Sequence, residues 1–586
     1  MLRLAIAQFR PGKGDYAENV GRIGALLADL GRRAPPADVV LFPESALTGY
    51  LLEGGVRDLA VPAGRLFEDL QAAHARSDAA PVDVAVGFYE TWRGSLYNAS
   101  LYATLGGPGA GIVHVHRKVF LPTYGVFDEE RYTEPGLEVR AFDTRFGRLA
   151  TLICEDAWHS LPPTIAAVQG AQLLLIHSAS PARGTQPLEE TLARPANVSR
   201  WERIARYVAE EHGIWVATSQ LVGFEGGKAF AGGSVVVTPR GEVAGRAPLW
   251  DEAVLEVDVD FEEVGRARAD LPLLPDLQTK LPHLIRSLET GPESSARFDS
   301  EVPRRRAAVP HVPAGDPMAM DCALVERWLV EFLREEVTRR RGFQDVVVGL
   351  SGGVDSALVA FLATKAFGAA HVHAMLLPYR TSNPESLAHA RLVVEQLGIP
   401  HRVVDISAAV DGYLQTHEAD ADASRRGNVM ARERMIVLFD QSAKLRALPI
   451  GTGNKTERLF GYFTWHADDS PPINPIGDLF KTQVWALARH VGVPAAIIEK
   501  PATADLVKGQ TDEGDLGIPY PKADRILYWL LRGIRPADVA QLGFTAEEIA
   551  IVERRLGSTH WKRRLPTVAM LSPTAIGEYY LRPVDY

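Results

Sequence analysis

A proline-rich stretch near the middle of this 586-residue chain sets the strongest limit on how it folds. Eight prolines lie among the 46 residues from Pro272 to Pro317, where about three are expected from the 39 prolines of the whole chain. Proline fixes its φ angle and lacks a backbone N–H, so such a stretch favours an extended connector over a helix or a strand. A chain of this length also exceeds what one hydrophobic core supports. We therefore predict two folded domains, residues 1–265 and 318–586, joined by a linker or extended arm over 266–317.

Composition and charge restrict the partners of the chain. Its 46% hydrophobic and 23% charged residues are typical of a globular protein. The net charge of -10 is opposite in sign to a nucleic-acid-binding surface, so we expect small-molecule partners and no nucleic acid. The two cysteines, Cys154 and Cys322, cannot form a disulfide framework, which fits a reducing compartment. The apolar runs are too short for a signal peptide or a membrane span, so we expect a cytoplasmic location and no membrane partner.

Strand-like and helix-like segments alternate in both halves of the chain. In the first half, short β-rich runs such as LRLAIAQF, VDVAVGFY and GRLATLICE are interleaved with helix-like segments, which is typical of a layered α/β domain. In the second half, VVVGL, HVHAMLLP, HRVVDIS and LPIGT alternate with helical patterns over 357–367 and 384–397. Alternation of this kind predicts a parallel, doubly wound sheet. The fold class predicted for the whole chain is α/β.

A glycine-rich turn follows the first strand of the second half. The sequence runs from VVVGL through SGGVDS into an apolar helix. Gly352 and Gly353 let the backbone approach an anion, and the helix N-terminus supplies free N–H groups, so the turn suits a pyrophosphate. Asp355 would repel phosphate unless a divalent cation lay between them, and its presence predicts Mg²⁺. The order differs from the Walker loop, which carries GK[ST].

The full SGGxDS pattern resembles the loop of the N-type ATP pyrophosphatases, which cleave ATP between its α and β phosphates. Without that resemblance, the same residues would form an ordinary strand-to-helix turn with a Ser/Asp cap. The resemblance implies that ATP is a co-substrate. The phosphate-binding residues that it implies are Gly349, Leu350, Ser351, Gly352, Gly353, Val354, Asp355 and Ser356.

Further motifs of the second half resemble the NAD⁺ synthetase family. They are GTGNKTE (451–457), NVMARERM (428–435) and KPATADLVKGQTDEGDLGIPY (500–520). The resemblance implies that ATP adenylates the carboxylate of deamido-NAD⁺ (nicotinic acid adenine dinucleotide). It also implies a homo-oligomer built on dimers of the synthetase domain. The site residues it implies are Thr452 for ATP, Asp355 and Glu457 for Mg²⁺, and Asn428, Glu457 and Lys562 for deamido-NAD⁺.

One segment departs from the pattern of that family. Where family members read GYFTKYGD, this chain reads GYFTWHADDS over 461–470. Either Asp468 or Asp469 takes the place of the usual acid, and the sequence leaves both open. The role of Trp465–Ser470 is open as well.

In the first half, three residues at the ends of strand-like runs indicate amide hydrolysis. Glu44 follows the run 39–42, Lys118 precedes a Leu-Pro break, and Cys154 follows GRLATLI. A neutral thiol is a weak nucleophile at pH 7, so it needs a carboxylate to take its proton and a cation to stabilise the thiolate and the oxyanion. The order Glu, Lys, Cys, with ICEDAW at the nucleophile position, resembles the nitrilase superfamily, which implies an αββα sandwich. Taken singly, Cys154 would be an inert buried thiol.

The nitrilase resemblance also implies residues that bind glutamine. Glu129, in FDEER, is the further carboxylate that many nitrilases hold beside the base. Glutamine would contact three residues: Tyr124, Ser180 and, as the clamp for its carboxylate, Arg183. Cys322, in DCALVERWL, is expected to be a structural thiol.

Together the two resemblances imply a glutamine-hydrolysing NAD⁺ synthetase. Ammonia from L-glutamine would aminate adenylated deamido-NAD⁺, giving NAD⁺, AMP, pyrophosphate and L-glutamate. The alternatives are another ammonia-transferring ATP pyrophosphatase, a nitrilase-type amidase with a nucleotide-sensing domain, and a nucleotide-binding regulator without turnover. Leu2 argues against asparagine synthetase, which uses an N-terminal cysteine.

Overall fold

The computed structural model describes residues 1–52, 55–77, 79–186, 194–290, 316–503 and 511–563. These residues divide into two units, one from 1–184 and 194–290 and the other from 185–186, 316–503 and 511–563. Each unit has its own hydrophobic core of strand and helix side chains. None of the described helices has both the length and the hydropathy that a membrane span requires.

The first unit is built from short strands and seven α-helices within its described residues. Its strands are β1 (Leu2–Gln8), β2 (Val39–Leu41), β3 (Val82–Trp92), β4 (Ser95–Leu105), β5 (Gly111–Arg117), β6 (Ala141–Asp143), β7 (Arg148–Ile153), β8 (Leu173–Ser178), β9 (Trp215–Gln220), β10 (Val222–Glu225), β11 (Lys228–Ala231), β12 (Val235–Val237), β13 (Val243–Arg246) and β14 (Ala253–Val259). Its helices are α1 (Tyr16–Gly31), α2 (Val56–Leu59), α3 (Ala63–His74), α4 (Leu161–Val168), α5 (Ala196–His212), α6 (Glu262–Asp270) and α7 (Leu273–Thr290).

The strands of the first unit form two six-stranded sheets of similar design. In the first sheet, of order β14-β1-β2-β3-β4-β5, strands β1 to β3 are parallel and the outer pairs are antiparallel. In the second, of order β13-β12-β9-β8-β7-β6, strands β7 to β9 are parallel and the outer pairs are antiparallel. Strands β10 and β11 form a separate hairpin.

Helices cover the outer faces of the two sheets, and the inner faces pack on each other. On the first sheet, α1 and α3 contribute Ile23 and Leu70 to the outer core. On the second sheet, α4 and α5 contribute side chains such as Trp201. Between the sheets, side chains such as Leu4 of β1 and Leu175 of β8 share one apolar layer. The four layers confirm the predicted αββα sandwich.

The second unit contains a four-stranded sheet that is parallel throughout, of order β17-β16-β15-β18. Its strands are β15 (Asp345–Gly349), β16 (Val372–Leu376), β17 (His401–Val403) and β18 (Ala447–Pro449). Its described helices are α8 (Cys322–Leu333), α9 (Val354–Phe367), α10 (Pro384–Leu397), α11 (Ser407–His417), α12 (Ala423–Leu445), α13 (Lys455–Phe460), α14 (Lys481–Val491), α15 (Ala495–Ile498), α16 (Asp512–Leu516), α17 (Tyr520–Leu531), α18 (Pro536–Val539) and α19 (Ala546–Ser558).

Both faces of that parallel sheet are covered. Val346 and Val348 of β15 pack in the core that α8, α9 and α14 share, whereas Val347 packs in the core of α11 and α12. Because successive strand side chains point to opposite faces, the apolar run VVV is buried on both sides. The predicted doubly wound sheet is confirmed.

The proline-rich stretch is partly helical. Helix α7 contains Pro275 in its first turn and Pro282 in its interior. Leu274 and Leu277 of α7 pack on the outer core of the second sheet, so burial of an apolar face outweighs the hydrogen bond lost at proline. The prediction of an extended arm is therefore wrong over α7. Residues 291–315 lie outside the described part of the chain, and the domain boundaries stay a prediction.

The candidate residues follow the carboxyl ends of strands. Glu44 comes after β2, Lys118 directly after β5 and Cys154 directly after β7, while the SGGVDS turn joins β15 to α9. In open α/β sheets, ligands bind at the carboxyl ends of the parallel strands. Each unit thus carries its candidate residues at a sheet edge suited to a site.

Gly87 of β3 lies against the backbone that carries Glu44. A Cβ at Gly87 would lie 2.5 Å from the carbonyl oxygen of Pro43 and 2.7 Å from the Cα of Glu44. We expect Gly87→Ala to lower the free energy of unfolding by about 1–3 kcal/mol, because this backbone must shift. Chemical denaturation followed by circular dichroism measures the loss. Gly109→Ala is the control, since nothing lies within 4 Å of a Cβ there. A Gly87→Ala chain as stable as this control would contradict the prediction.

Candidate active sites

Glu44, Lys118 and Cys154 lie together in the first unit. The Nζ atom of Lys118 lies 2.8 Å from Oε1 of Glu44 and 2.6 Å from Oε1 of Glu129. Lys118 and Glu44 are fully buried, and Cys154 is 8% exposed. The Cys154 thiol interacts electrostatically with all three charged groups, and its Sγ lies 3.7 Å from the hydroxyl oxygen of Ser178. The structure thus brings the three predicted residues into one buried cluster with Glu129.

Neighbouring groups hold both carboxylates of this cluster in position. Asn98 Nδ2 donates to Oε1 of Glu44 at 2.8 Å and to Oε2 of Glu129 at 3.3 Å. The backbone N–H of Ala179 donates to Glu44 at 2.8 Å, and the Tyr50 hydroxyl donates to Glu129. Neither Asn98 nor Tyr50 was predicted from the sequence. In the sequence, Asn98 is distinguished only as a polar residue within the strand-like run LYNASLYA.

Burial and the surrounding charges set the protonation of the cluster. Burial alone would lower the pKa of Lys118, but the carboxylates of Glu129 and Glu44 outweigh it and raise this pKa well above its ordinary value. Burial and the Glu44 carboxylate raise the pKa of Cys154 well above that of a free thiol, and Lys118 opposes them only in part. The Cys154 thiol is therefore neutral at rest and lies near the Lys118 ammonium.

The backbone at Cys154 is strained. Cys154 begins a short 3₁₀ helix, Cys154–Trp158, directly after β7. Its φ angle is +45°, in the left-handed region that non-glycine residues rarely adopt. Strain of this kind persists only where the surrounding structure holds it, and it is common at catalytic groups.

Tyr124 and Arg183 lie in one aromatic neighbourhood at the exposed side of the cluster. The Tyr124 hydroxyl donates to Glu155, the residue after Cys154, at 3.2 Å. The ring of Phe127 lies 5.7 Å from the Tyr124 ring and 5.6 Å from the Arg183 guanidinium. Both predicted residues are exposed, so a small molecule can reach them.

Ser180 and Arg183 share Asn197 as a hydrogen-bond partner. Asn197 Nδ2 donates to the hydroxyl of Ser180 at 3.1 Å, and its Oδ1 accepts the backbone N–H of Arg183 at 2.9 Å. Ser180 lies two residues after Ser178, which contacts the thiol. The residues expected to hold glutamine are therefore linked to one another through Phe127 and Asn197.

In the second unit, the SGGVDS turn is shaped for the close approach of a ligand. The hydroxyls of Ser351 and Ser356 lie 3.1 Å apart, and Ser351 Oγ accepts the N–H of Gly353 at 3.2 Å. Gly352 has a φ angle of +79°, and a Cβ there would lie 2.0 Å from the carbonyl oxygen of Ser386. Gly353 is the N-cap of α9 and has no side chain to cap it, so the helix end can receive an anion.

The turn opens onto a cavity of about 310 Å³ in the second unit. Every residue of the predicted phosphate-binding segment except Gly352 lines the cavity, and Thr452 and Glu457 line it too. The structure therefore brings the predicted ATP residues together around one space.

Asp355 and Glu457 converge on a buried lysine in the cavity wall. The Nζ atom of Lys481 lies 2.5 Å from Asp355 Oδ2 and 3.3 Å from Glu457 Oε1, and Asn454 Nδ2 donates to Asp355 Oδ1 at 2.9 Å. Within the described residues, no group of three or more His, Cys, Asp and Glu could hold a metal alone. Two carboxylates beside a phosphate-binding turn nevertheless fit Mg²⁺, which commonly takes one or two carboxylates together with substrate phosphates.

Burial dominates the protonation of Glu457. It raises the pKa of this side chain, with Lys481 opposing the shift and Asp355 adding to it. Burial alone would lower the pKa of Lys481, but Asp355 and Glu457 raise it above the ordinary value, so Lys481 stays an ammonium. Lys481 was not predicted. Its only signal was a lysine in the first turn of a helix after PIGDLF.

Asn428 and Lys562 both contact the segment 461–470. Asn428 Oδ1 accepts the hydroxyl of Thr464 at 3.0 Å. Lys562 Nζ donates to the carbonyl oxygens of Gly461 at 2.9 Å and Phe463 at 3.0 Å. Phe463 and Thr464 line the cavity, so the two predicted residues border it through this segment.

The part of that segment that departs from the family pattern forms a turn beside the cavity. Asp468 Oδ2 accepts the backbone N–H of Thr464 at 2.9 Å, and both Asp468 and Asp469 line the cavity. The Trp465 ring packs edge-on against Trp561, with ring centres 5.2 Å apart. Both acids therefore face the same space, and the choice between them stays open.

Comparison with known proteins gives each unit a match of its own. Residues 3–269 match the family model described as carbon-nitrogen hydrolase, and residues 325–566 match the model described as NAD synthase. The glutamine-dependent NAD(+) synthetase of Thermotoga maritima is 30% identical over 602 aligned positions, which cover 100% of this chain and 98% of that protein. The chain belongs to the glutamine-dependent NAD⁺ synthetase family. It is therefore a carbon–nitrogen ligase that joins glutamine hydrolysis to ATP-dependent amidation, and the predicted family and function are confirmed.

Two further proteins are similar to this chain, one over its second half and the other over nearly its whole length. The NH(3)-dependent NAD(+) synthetase of Trichlorobacter lovleyi is 50% identical over 256 residues, which cover 43% of this chain and 92% of that protein. A solved glutamine-dependent NAD+ synthetase from Acinetobacter baumannii, in complex with adenosine diphosphate, covers 97% of this chain and 95% of its own. Its TM-score is 0.67 at 24% identity, so the fold is shared.

Lys118 pairs with two buried carboxylates, and its removal would leave both without a counter-charge. We expect Lys118→Met to lower the free energy of unfolding by about 3–5 kcal/mol, because a buried charge without its partner is strongly destabilising. Urea denaturation followed by circular dichroism measures the loss. Adding Glu129→Gln to the variant should recover part of the stability, since it removes one of the two charges. A Lys118→Met chain as stable as the unchanged protein would contradict this charge arrangement.

Proposed function

We propose that Glu44, Lys118 and Cys154 hydrolyse L-glutamine in this chain. The observation that carries the proposal is the Lys118 ammonium held between two carboxylates beside a buried neutral thiol. As the Cys154 sulfur attacks the side-chain amide carbon, Glu44 takes the thiol proton and Lys118 stabilises the oxyanion. The carbon–nitrogen bond breaks, and Glu44 returns its proton to the departing ammonia. Water then cleaves the thioester, releases L-glutamate and restores the thiol.

We propose that Tyr124, Ser180 and Arg183 hold the glutamine during this reaction. The exposed guanidinium of Arg183 is suited to the α-carboxylate because it offers a planar fork of donors. The hydroxyls of Tyr124 and Ser180 can donate to polar atoms of the substrate. The exposure of Tyr124 beside Glu155 supports this role, since the thiol of Cys154 itself is buried.

In the second unit, we propose that the segment 349–356 and Thr452 bind ATP, and that Asn428, Glu457 and Lys562 bind deamido-NAD⁺. The shared cavity and the open N-terminus of α9 support the ATP assignment. The nicotinate carboxylate attacks the α-phosphorus of ATP, which expels pyrophosphate and leaves an acyl adenylate. Ammonia then attacks the acyl carbon and expels AMP, which yields NAD⁺. Holding the two reactants in one cavity supplies a proximity advantage.

We propose that Asp355 and Glu457 hold Mg²⁺ in this unit. When bound, the ion would neutralise phosphate charge and help pyrophosphate to leave. Lys481 supports the proposal, because it keeps the two carboxylates converged before any substrate arrives. We also propose that the chain forms a homo-oligomer built on dimers of the synthetase domain. Light scattering of the purified chain measures its mass in solution and tests this oligomeric state.

Removal of the nucleophile should separate the two nitrogen sources. We expect Cys154→Ala to abolish NAD⁺ synthesis from glutamine and to leave synthesis from ammonium salts intact, because the thiol acts only on glutamine. Mass detection of NAD⁺, AMP and glutamate in both assays measures the effect. Cys322→Ala, at the other cysteine, is the matched control and should keep both activities. Loss of both activities in Cys154→Ala would contradict the assigned role.

Loss of the Asp355 carboxylate should stop NAD⁺ synthesis and leave glutamine hydrolysis unchanged. We expect Asp355→Asn to stop NAD⁺ synthesis from glutamine and from ammonium salts, while glutamate release continues, because Asp355 serves only the ATP site. Chelation of divalent ions with EDTA should have the same selectivity in the unchanged protein. Asp478→Asn is the control, since this carboxylate is 96% exposed and pairs with Lys455 at 2.8 Å. Full synthesis by Asp355→Asn, or in EDTA, would contradict the proposed metal role.

A further inference from the structure

One buried carboxylate in the first unit receives four hydrogen bonds. Asp156 has no exposed surface. Its Oδ1 accepts the backbone N–H groups of Val119 and Phe120, both at 2.9 Å. Its Oδ2 accepts the backbone N–H of Ile153 at 3.1 Å and lies 2.9 Å from Nε2 of His116. A carboxylate has about four acceptor positions, so this one is saturated.

The four donors flank two of the residues assigned to catalysis. His116, Val119 and Phe120 surround Lys118 in the chain, and Ile153 directly precedes Cys154. The lysine follows β5 of the first sheet, whereas the cysteine follows β7 of the second. Asp156 therefore ties the backbone that carries the cation to the turn that carries the nucleophile, across the gap between the two sheets.

The same carboxylate closes the strained turn. The bond from Ile153 N–H to Asp156 spans Cys154, whose φ angle is +45°. A left-handed non-glycine residue costs of order 1–3 kcal/mol and persists only where contacts compensate. The carboxylate of Asp156 supplies such a contact from within the turn.

Only a carboxylate satisfies all four donors. Asparagine has one acceptor oxygen, which can serve Val119 and Phe120, but its NH₂ group would then face the N–H of Ile153. When two N–H donors face each other inside a buried site, neither has an acceptor, and this lowers the stability of the folded state. The substitution Asp156→Asn thus keeps the size of the side chain and breaks the link on the side of Cys154.

We propose that Asp156 is a positioning residue that holds Lys118 against Cys154 and thereby sets the rate of glutamine hydrolysis without touching the substrate. The inference rests on the proposed roles of Glu44, Lys118 and Cys154. Asp156 contributes no proton and no nucleophile; it fixes the distance between the ammonium and the sulfur.

The test uses Asp156→Asn in the full chain. We expect kcat for glutamate release to fall about 100-fold, as expected when a catalytic group is misplaced by roughly 1 Å, with KM for glutamine little changed. NAD⁺ synthesis from ammonium salts should keep its rate, since the second unit is unaltered. Asp143→Asn is the matched control, because this aspartate of the same unit is 78% exposed and pairs with Arg148 at 2.8 Å.

Alkylation of Cys154 by iodoacetamide separates positioning from a merely structural role. Lys118 lowers the pKa of the thiol, so its displacement should move the pH profile of alkylation to higher pH in Asp156→Asn. A normal kcat, or a lowered kcat with an unmoved profile, would overturn the proposal. Loss of the ammonium-driven reaction together with the glutamine reaction would indicate general misfolding of Asp156→Asn, and the decision then rests on His116→Gln.

His116→Gln carries the test if Asp156→Asn fails to fold. It removes one of the four donors and leaves the three backbone bonds, so we expect a smaller fall in kcat with a shift of the profile in the same direction. An unchanged kcat and profile in His116→Gln would then count against the proposal.

If the unchanged protein released no glutamate, the proposed glutaminase function would fail. If it released glutamate and Asp156→Asn did so equally well, only the role of Asp156 would fail.

Discussion

Each unit buries a lysine ammonium between two carboxylates, and the chemistry of both candidate sites depends on this arrangement. In the first unit Lys118 lies between Glu44 and Glu129, and in the second Lys481 lies between Asp355 and Glu457. Removing an ammonium from water costs several kcal/mol, and only close opposite charges with further hydrogen bonds offset that cost. Sequence segments far apart in the chain must therefore meet correctly before either lysine can be buried.

The two arrangements differ in access, and this difference fits their proposed roles. Lys118 and Glu44 are fully sealed, so the cation is permanent and its partners cannot exchange. Asp355 and Glu457 keep 17% and 18% of their side-chain surface at a cavity, where a divalent ion can replace or join the ammonium. The first arrangement suits catalysis by fixed charges, and the second suits a reaction in which charged phosphates arrive and leave.

Local signals predicted much of the fold, and non-local pairings account for most of what they missed. The helix expected over 384–397 coincides with α10, because Asn383 caps its start and Gly398 ends it in a left-handed conformation. The proline signal failed over α7, where burial of leucines outweighs it. Glu44, Lys118 and Cys154 were found through motif order. Asn98 and Lys481 were not predicted, because their positions matter only through contacts with residues on distant segments, such as Glu44 and Asp355.

In the reaction proposed for Glu44, Lys118 and Cys154, charge conservation favours proton transfer inside the sealed cluster. These groups lie in surroundings that stabilise charge poorly. When the proton of Cys154 passes to Glu44, the negative charge moves from oxygen to sulfur and the net charge stays the same. No charge enters or leaves the low-dielectric region, so the step avoids a desolvation penalty. The fixed ammonium then stabilises the thiolate and afterwards the oxyanion, which makes its position relative to the sulfur the quantity that the surrounding structure must hold constant.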